Sequence, residues 1–205
     1  MHLVLEGIDG SGKSTLANNL KESLETKIPV LMYREPSDLT EAGKTLRKLL
    51  HEEKKVTPQL QKQMLDLFLK DRLENTKHYI HPFLQKNPNG VIIQDRSWIS
   101  TAAYQAENPK QALVIAESYL RRKDLYSIDL CFYLRISPDV AMERIHEGKE
   151  QKQVFETIKE LDRIFENYET IFRKLRFPFR VIRIDAGLPA DSIKEVALSI
   201  LQDME

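Results

Sequence analysis

The residues with the clearest chemical purpose lie near the start of the chain. Residues 7–15 read Gly-Ile-Asp-Gly-Ser-Gly-Lys-Ser-Thr, a complete GxxxxGKS phosphate-binding loop that directly follows the apolar residues 3–5. In such a loop the backbone N–H groups point at the phosphates, and the following helix adds the positive end of its dipole. The lysine reaches the β- and γ-phosphates, and the serine hydroxyl ligates Mg²⁺. The sequence therefore predicts a nucleotide site formed by Gly10, Ser11, Gly12, Lys13, Ser14 and Thr15.

A second magnesium ligand is expected at Asp95. This residue follows the apolar run 91–94, at the carboxyl edge where open α/β sheets collect their ligands. The next residue is Arg96 and not Glu, so the paired acid with which many ATPases activate water is absent. We therefore do not expect water to be the phosphoryl acceptor. Capping of the following helix by Asp95 remains an alternative.

Four arginines, three of which follow or lie near predicted strand ends, suggest a second phosphate site. Guanidinium groups pair bidentately with phosphate oxygens, so a cluster of them would seat a monophosphate opposite the γ-phosphate. Each could instead be a solvated surface residue, especially Arg47 in the charged stretch 44–48. The candidates are Arg34, Arg47, Arg72 and Arg96.

Phe68 and Arg72 could recognise a base together. They are four residues apart and therefore share one face of a helix. The ring could stack on a base while the guanidinium bonds its edge. Phe68 also continues an apolar stripe with Leu60 and Met64, so simple core packing remains open as an alternative.

Composition limits the class of protein. The chain has 205 residues, 31 basic against 31 acidic side chains, and 41% hydrophobic residues, which predicts a single soluble domain over residues 1–205. The balanced charge argues against nucleic-acid and membrane partners. Cys131 is the only cysteine and is expected to be a buried thiol. A leader and an apolar run of about 20 residues are both lacking, so we expect a cytoplasmic location.

Apolar runs at 2–5, 29–33, 91–94, 128–134 and 180–184 alternate with longer helical patterns. Such alternation predicts an α/β fold in which helices cover both faces of a five-stranded parallel sheet. Prolines stand at the front of four helical patterns, where a missing N–H costs least: Pro58, Pro109, Pro138 and Pro189. The polar segment 147–152 interrupts the helical period and is expected to be a surface loop.

Four ordered motifs resemble those of thymidylate kinases, P-loop nucleoside monophosphate kinases that make dTDP from dTMP and ATP. They are residues 5–15, Arg34-Glu35-Pro36, the Leu-Phe-x-x-Asp-Arg run at 67–72, and Asp95-Arg96 followed by residues 100–105. The resemblance covers nearly the whole chain. It implies a three-layer α/β/α fold, Mg²⁺ and ATP, a lid at about 146–156 and usually a homodimer.

The resemblance also implies roles around the acceptor phosphate and sugar. Asp9 would meet the sugar 3′-hydroxyl. The acceptor phosphate would be held by Arg34, Arg47 and Arg96, and Glu35 would belong to the same substrate site.

At the base, the resemblance implies that Phe68 stacks on thymine and that Arg72 reaches its O4 atom. Thr101 and Gln105 would bond the remaining pyrimidine edge. Tyr104 would crowd the 2′ position and so favour deoxyribose.

The lid of this family supplies a catalytic cation when the phosphate loop has no arginine. Position 10 is glycine here, so Arg144 is the leading candidate, ahead of Lys149 and Lys152. The loop that begins Asp185-Ala186 would contact adenine. The catalytic residues implied are Lys13, Asp95, Arg96 and Arg144.

The chain departs from its apparent relatives at two points. Many relatives continue Arg-Glu-Pro with Gly-Gly, where this chain has Ser37-Asp38, and Ser97 replaces a common aromatic residue. The shape of the acceptor loop therefore stays open. Two other functions also stay open: a kinase for another pyrimidine nucleotide or nucleoside, and a non-catalytic nucleotide-binding module.

Overall fold

The computed structural model describes residues 1–52, 57–147 and 157–203. Five parallel strands form one sheet in the order β2-β3-β1-β4-β5. The strands are β1 (His2–Glu6), β2 (Val30–Arg34), β3 (Val91–Asp95), β4 (Leu130–Arg135) and β5 (Arg180–Asp185). The predicted α/β class and all five predicted strands are confirmed.

Helices connect successive strands, and one more helix follows the last strand. They are α1 (Lys13–Leu24), α2 (Glu41–Glu52), α3 (Pro58–Asn75), α4 (His81–Lys86), α5 (Trp98–Gln105), α6 (Pro109–Leu120), α7 (Pro138–Glu147), α8 (Ile158–Lys174) and α9 (Ala190–Gln202). A π-helical turn, Thr76–Ile80, joins α3 to α4. The lid candidates Lys149 and Lys152 lie outside the described residues.

Local sequence explains where several helices begin. The Thr57 side chain accepts a hydrogen bond from the Leu60 N–H, and Pro58 follows as the first helical residue of α3. The Asn108 side chain and Pro109 start α6 in the same way. A side-chain oxygen at this position satisfies a backbone donor that has no partner inside the helix.

The sheet supplies the centre of the hydrophobic core. Every residue of β1 and β3 is buried, as expected for parallel strands with both faces covered. Cys131 is a free, fully buried cysteine on β4, as predicted.

Among the described helices, none is long and apolar enough to cross a membrane.

Candidate active site

The phosphate loop follows β1 and leads into α1, which begins at Lys13. Gly10 and Gly12 have φ angles of 77° and 86°, which L side chains rarely adopt. A Cβ atom on Gly10 would also lie 2.5 Å from the Ala141 carbonyl oxygen of α7. The packing of α7 therefore leaves no room for an arginine at position 10.

Lys13 is buried inside the loop. Its Nζ donates to the Ile8 carbonyl oxygen at 2.7 Å and lies 3.4 Å from the Ser11 hydroxyl. Burial, and then the nearby Arg96 charge, lower the Lys13 pKa to about 8. The lysine thus sits among the N–H groups that would surround a phosphate.

A cavity of about 530 Å³ opens beside the loop. Its lining includes Gly10, Ser11, Gly12, Thr15 and Arg144, together with residues 187–190. Arg144 lies on the last turn of α7, and its Nη1 donates to the Ala186 carbonyl oxygen at 2.8 Å. The Asp185 carboxylate accepts from the Gly187 N–H at 2.8 Å. Five of the predicted donor-side residues thus line this cavity, whereas Lys13, Ser14, Asp185 and Ala186 are not among its lining.

Ser14 and Asp95 form an oxygen pair suited to Mg²⁺. The Ser14 hydroxyl donates to Asp95 Oδ2 at 2.7 Å, and Asp95 Oδ1 is buried with no hydrogen-bond partner among the described residues. The capping alternative for Asp95 is wrong, because the side chain that caps α5 belongs to Ser97. Magnesium favours one or two carboxylates completed by water and nucleotide phosphates, so this pair fits it.

A separate cavity holds most of the predicted acceptor residues. Its lining includes Asp9, Arg34, Glu35, Phe68, Arg96, Thr101, Tyr104 and Gln105, with Pro36, Leu50, Ser97 and Ser100. These residues come from the phosphate loop, the end of β2 and the segment after it, α2, α3, the segment after β3, and α5. Sequence reasoning missed Leu50, which belongs to no motif, and assigned no role to Ser100, although Ser100 opens the motif at 100–105.

Asp9, a residue of the phosphate loop, and Arg96 both line the acceptor cavity and are in contact. Arg96 Nη2 donates to Asp9 Oδ1, and the Tyr104 hydroxyl donates to Asp9 Oδ2 at 3.0 Å. The Arg96 guanidinium also lies 4.7 Å from the centre of the Tyr104 ring. Burial opposes ionisation of Asp9, but Arg96 and Lys13 hold the pKa of its carboxyl below the usual value.

Phe68 and Arg72 are in contact, as their spacing predicted. The guanidinium carbon of Arg72 lies 5.4 Å from the centre of the Phe68 ring. Arg72 Nη2 donates to the Thr101 hydroxyl at 2.6 Å, while its Nε and Nη2 donate to Glu35. Phe68 packs against Leu46 and Met64 as well, so the ring serves the core and the cavity together.

The charged stretch 44–48 allowed Arg47 to be a solvated surface residue, but the structure shows that it is not. It is half-buried, and its Nε donates to the Pro36 carbonyl oxygen at 2.8 Å. Arg34 is exposed and lines the acceptor cavity, and Gln105 is buried at the same cavity. The Glu35–Pro36 peptide bond is cis.

Ser37, which stands where many apparent relatives have glycine, has a structural role. The Ser37 N–H and hydroxyl donate to the two carboxylate oxygens of Asp71 at 2.8 and 2.6 Å. The Thr40 hydroxyl donates to the same carboxylate at 2.6 Å. The loop after β2 is therefore fastened to α3 by a side chain that glycine could not supply.

Glu6 is a buried carboxylate that the sequence analysis missed. Its Oε1 accepts from the Ser97 N–H and hydroxyl at 2.7 and 2.6 Å. Its Oε2 accepts from the Ser100 and Tyr168 hydroxyls at 2.6 and 2.9 Å. These bonds tie β1 to the start of α5, which carries part of the acceptor wall. The sign of this role in the sequence is a charged residue at the end of an otherwise apolar strand.

A phosphate loop after the first strand of a parallel sheet, the Ser14–Asp95 oxygen pair beside it and a separate arginine-lined cavity define a nucleoside monophosphate kinase of the P-loop class. The family model described as Thymidylate kinase matches residues 5–197. The chain belongs to the thymidylate kinase family.

Curated relatives are similar in sequence to this chain over almost its full length. A protein named thymidylate kinase from Leptospira borgpetersenii serovar Hardjo-bovis (strain L550) is 40% identical over 97% of this chain and 91% of its own length. A thymidylate kinase from Leptospira interrogans serovar copenhageni (strain Fiocruz L1-130) is 40% identical over 97% of this chain and 92% of its own length. A thymidylate kinase of Prosthecochloris aestuarii is 33% identical over 94% of this chain and 89% of its own length.

Proposed function

We propose that this chain transfers the γ-phosphoryl group of ATP to dTMP and produces dTDP and ADP. The observation that carries this proposal is the Arg96–Asp9 contact, which joins the phosphate loop to an arginine-lined cavity. A bound monophosphate in that cavity would face a triphosphate held by the loop. Membership of the thymidylate kinase family makes thymidine the expected nucleoside.

On the donor side, the loop N–H groups and Lys13 bind the β- and γ-phosphates. Ser14 and Asp95 hold Mg²⁺, which when bound neutralises charge on those phosphates. Arg144 is the leading candidate for the cation that stabilises the transferred group. Its contact with Ala186, beside the donor cavity, supports a place near the nucleotide.

On the acceptor side, Arg34, Arg47 and Arg96 neutralise the monophosphate. Asp9 accepts a hydrogen bond from the 3′-hydroxyl of the sugar. Tyr104, which bonds to Asp9, crowds the 2′ position and disfavours ribose.

The base lies against Phe68, with Arg72 donating to its O4 atom. Thr101 and Gln105 bond the rest of the pyrimidine edge. Arg72 Nη1 is buried without a hydrogen-bond partner among the described residues, which supports a role as donor to a base oxygen, although Arg72 does not itself line the acceptor cavity. Glu35 supports this arrangement through its ion pair with Arg72.

In the reaction, an oxygen of the acceptor phosphate forms a bond to Pγ while the bond between Pγ and the bridging oxygen of ADP breaks. That acceptor oxygen is already anionic, so no strong general base is required. Catalysis then depends on alignment and on charge neutralisation by Lys13, Arg96 and Arg144.

We further propose that residues 1–205 act as one kinase domain, with 146–156 as a lid that excludes water during transfer. We also propose a cytoplasmic location and a homodimer, both on family resemblance. Analytical ultracentrifugation tests the homodimer: we expect the mass of two chains, and the mass of one chain would contradict the proposal.

An acceptor panel tests the proposed substrate. ADP release from Mg·ATP should be fast and selective with dTMP and slow with dUMP, UMP, CMP, AMP and thymidine. Preference for another acceptor would move the specificity to that compound. ADP release with none of them would favour a non-catalytic module.

A further inference from the structure

Gln94 is a buried polar residue bonded to two residues of the acceptor cavity lining, Glu35 and Arg96. It lies on β3, directly before Asp95 and Arg96, and it is 3% exposed. A buried carboxamide costs free energy unless its hydrogen bonds are satisfied. The groups that satisfy it therefore show what the residue does.

The Gln94 amide makes four hydrogen bonds. Its nitrogen donates to Glu35 Oε1 at 2.8 Å and to the Arg96 carbonyl oxygen at 2.9 Å. Its oxygen accepts from the Tyr33 hydroxyl at 2.5 Å and is bonded to His2 Nε2 at 2.6 Å. A carboxamide has two donor hydrogens and two acceptor lone pairs, so every position is used.

Sheet register brings these partners together. Tyr33 on β2 is paired with Gln94, and His2 on β1 is paired with Ile92, two residues earlier on β3. Alternate residues of a strand share a face, so the three polar side chains meet on one side of the sheet. Reversing the amide would turn its oxygen toward the oxygens of Glu35 and Arg96, so its orientation is fixed.

One branch of this network leads to the base end of the cavity. Gln94 holds Glu35 Oε1 and leaves Oε2 for Arg72, whose Nε and Nη2 donate to it at 2.8 and 2.5 Å. Arg72 in turn donates to Thr101 at 2.6 Å. Two hydrogen bonds thus separate Gln94 from the guanidinium assigned to the base.

The other branch leads to the phosphate end. Arg96 has a φ angle of 72°, a region that residues other than glycine seldom occupy. The Gln94 amide fixes the carbonyl of this residue, and the Arg96 side chain reaches Asp9. Gln94 therefore supports the backbone that directs the guanidinium assigned to the acceptor phosphate.

We propose that Gln94 is a positioning residue that sets base recognition and phosphate binding together, through Glu35 at one end and the Arg96 backbone at the other. This inference rests on the proposed function, because that function assigns Arg72 and Arg96 to the acceptor. Gln94 makes no hydrogen bond to the phosphate loop or to Ser14 in the described structure, so its effect on the acceptor nucleotide should exceed its effect on ATP.

Two substitutions test this role. Gln94→Met keeps the length of the side chain and removes its amide hydrogen bonds, whereas Gln94→Glu keeps the shape and places an oxygen against Glu35. Both should raise KM for dTMP about tenfold or more, the equivalent of one or two lost hydrogen bonds. KM for ATP should stay within about twofold, and the preference for dTMP over dCMP should fall as Arg72 loses its fixed place.

Cys131→Ser is the matched control, because Cys131 is fully buried on β4 and is bonded to none of these groups in the described structure. It should lower the unfolding temperature and leave both KM values unchanged. Tyr33→Phe removes one hydrogen bond to Gln94 and provides a milder variant if Gln94→Met does not fold. It should raise KM for dTMP by a smaller factor.

A second readout does not depend on turnover. The Nε–H resonance of Arg72, assigned with Arg72→Lys, should shift or broaden in Gln94→Met and stay in place in Cys131→Ser. An unchanged resonance with unchanged KM for dTMP, or an equal rise in both KM values, would overturn the positioning role. Wild-type protein without dTMP turnover would overturn the proposed function alone, because the resonance still reports on the positioning role.

Discussion

The Arg96 guanidinium donates to the Asp9 carboxylate, and this contact joins the acceptor cavity to the phosphate loop. The two residues are 87 positions apart in the chain, so only the fold brings them together. Parallel strands end at one edge of the sheet, and β1 and β3 are neighbours there. The donor and acceptor sites are thereby held in a fixed relation, as phosphoryl transfer requires.

Asp9→Asn should weaken acceptor binding. The amide keeps the size of the side chain but loses the charge that holds Arg96, and a charge-assisted hydrogen bond is worth about 1.5–3 kcal/mol. We expect kcat/KM for dTMP to fall about tenfold to a hundredfold. Steady-state assays with dTMP and its 3′-deoxy analogue measure this effect. The wild-type preference for dTMP over the analogue should shrink, and an undiminished preference would argue against contact between Asp9 and the 3′-hydroxyl.

ATP affinity should depend on the ionisation of Lys13. Its pKa of about 8 in the free protein lies below the ordinary value because the residue is buried beside Arg96. Above that pH the free lysine is neutral, so binding the phosphates requires uptake of a proton. Affinity should then fall about tenfold for each further pH unit.

Calorimetric titration with ATP in buffers of different ionisation enthalpy measures this proton uptake. Lys13→Met should bind ATP weakly and show no corresponding loss of affinity between pH 8 and 10. Constant wild-type affinity across that range would contradict the ionisation assigned to Lys13.

Asp95→Asn should increase the requirement for Mg²⁺. The amide retains the position beside Ser14 and removes the negative charge that favours the cation. The Mg²⁺ concentration for half-maximal turnover should rise about tenfold, with a lower kcat at saturation. Magnesium titration at constant Mg-free nucleotide distinguishes this result from simple misfolding. An unaltered magnesium curve would remove Asp95 from the proposed metal site.

Ser37→Ala should loosen the acceptor loop. It removes the hydroxyl that bonds to Asp71 but keeps the backbone N–H bond to the same carboxylate. One hydrogen bond is worth about 1 kcal/mol, so KM for dTMP should rise about threefold to fivefold with kcat nearly constant. Thr45→Ala, at an exposed position of α2, is the control and should change neither constant. Equal constants in wild type and Ser37→Ala would show that the loop does not depend on this hydroxyl.

Much of the fold could be predicted because parallel strands buried on both faces read as short apolar runs. β4 begins at Leu130, later than the run 128–134 suggested, and Asp129 instead accepts from the His2 N–H with its side chain. The π-helical turn Thr76–Ile80 and α4 were not predicted, since no helix-ending residue separates them from α3.

The site was predictable where the chemistry lies in a local motif. The phosphate loop is contiguous in sequence, and the Phe68–Arg72 contact follows from helical spacing. The Gln94 network was not predictable, because it depends on strand register and on pairs of residues that are far apart in sequence. A polar residue inside an apolar strand was the only local sign of it.

The most direct test is product analysis by ³¹P NMR after incubation of the protein with Mg·ATP and dTMP. We expect dTDP and ADP in equal amounts, with formation of both reduced by at least about a hundredfold in folded Lys13→Ala protein. Appearance of ADP with inorganic phosphate and no dTDP, or equal dTDP formation by Lys13→Ala, would contradict it.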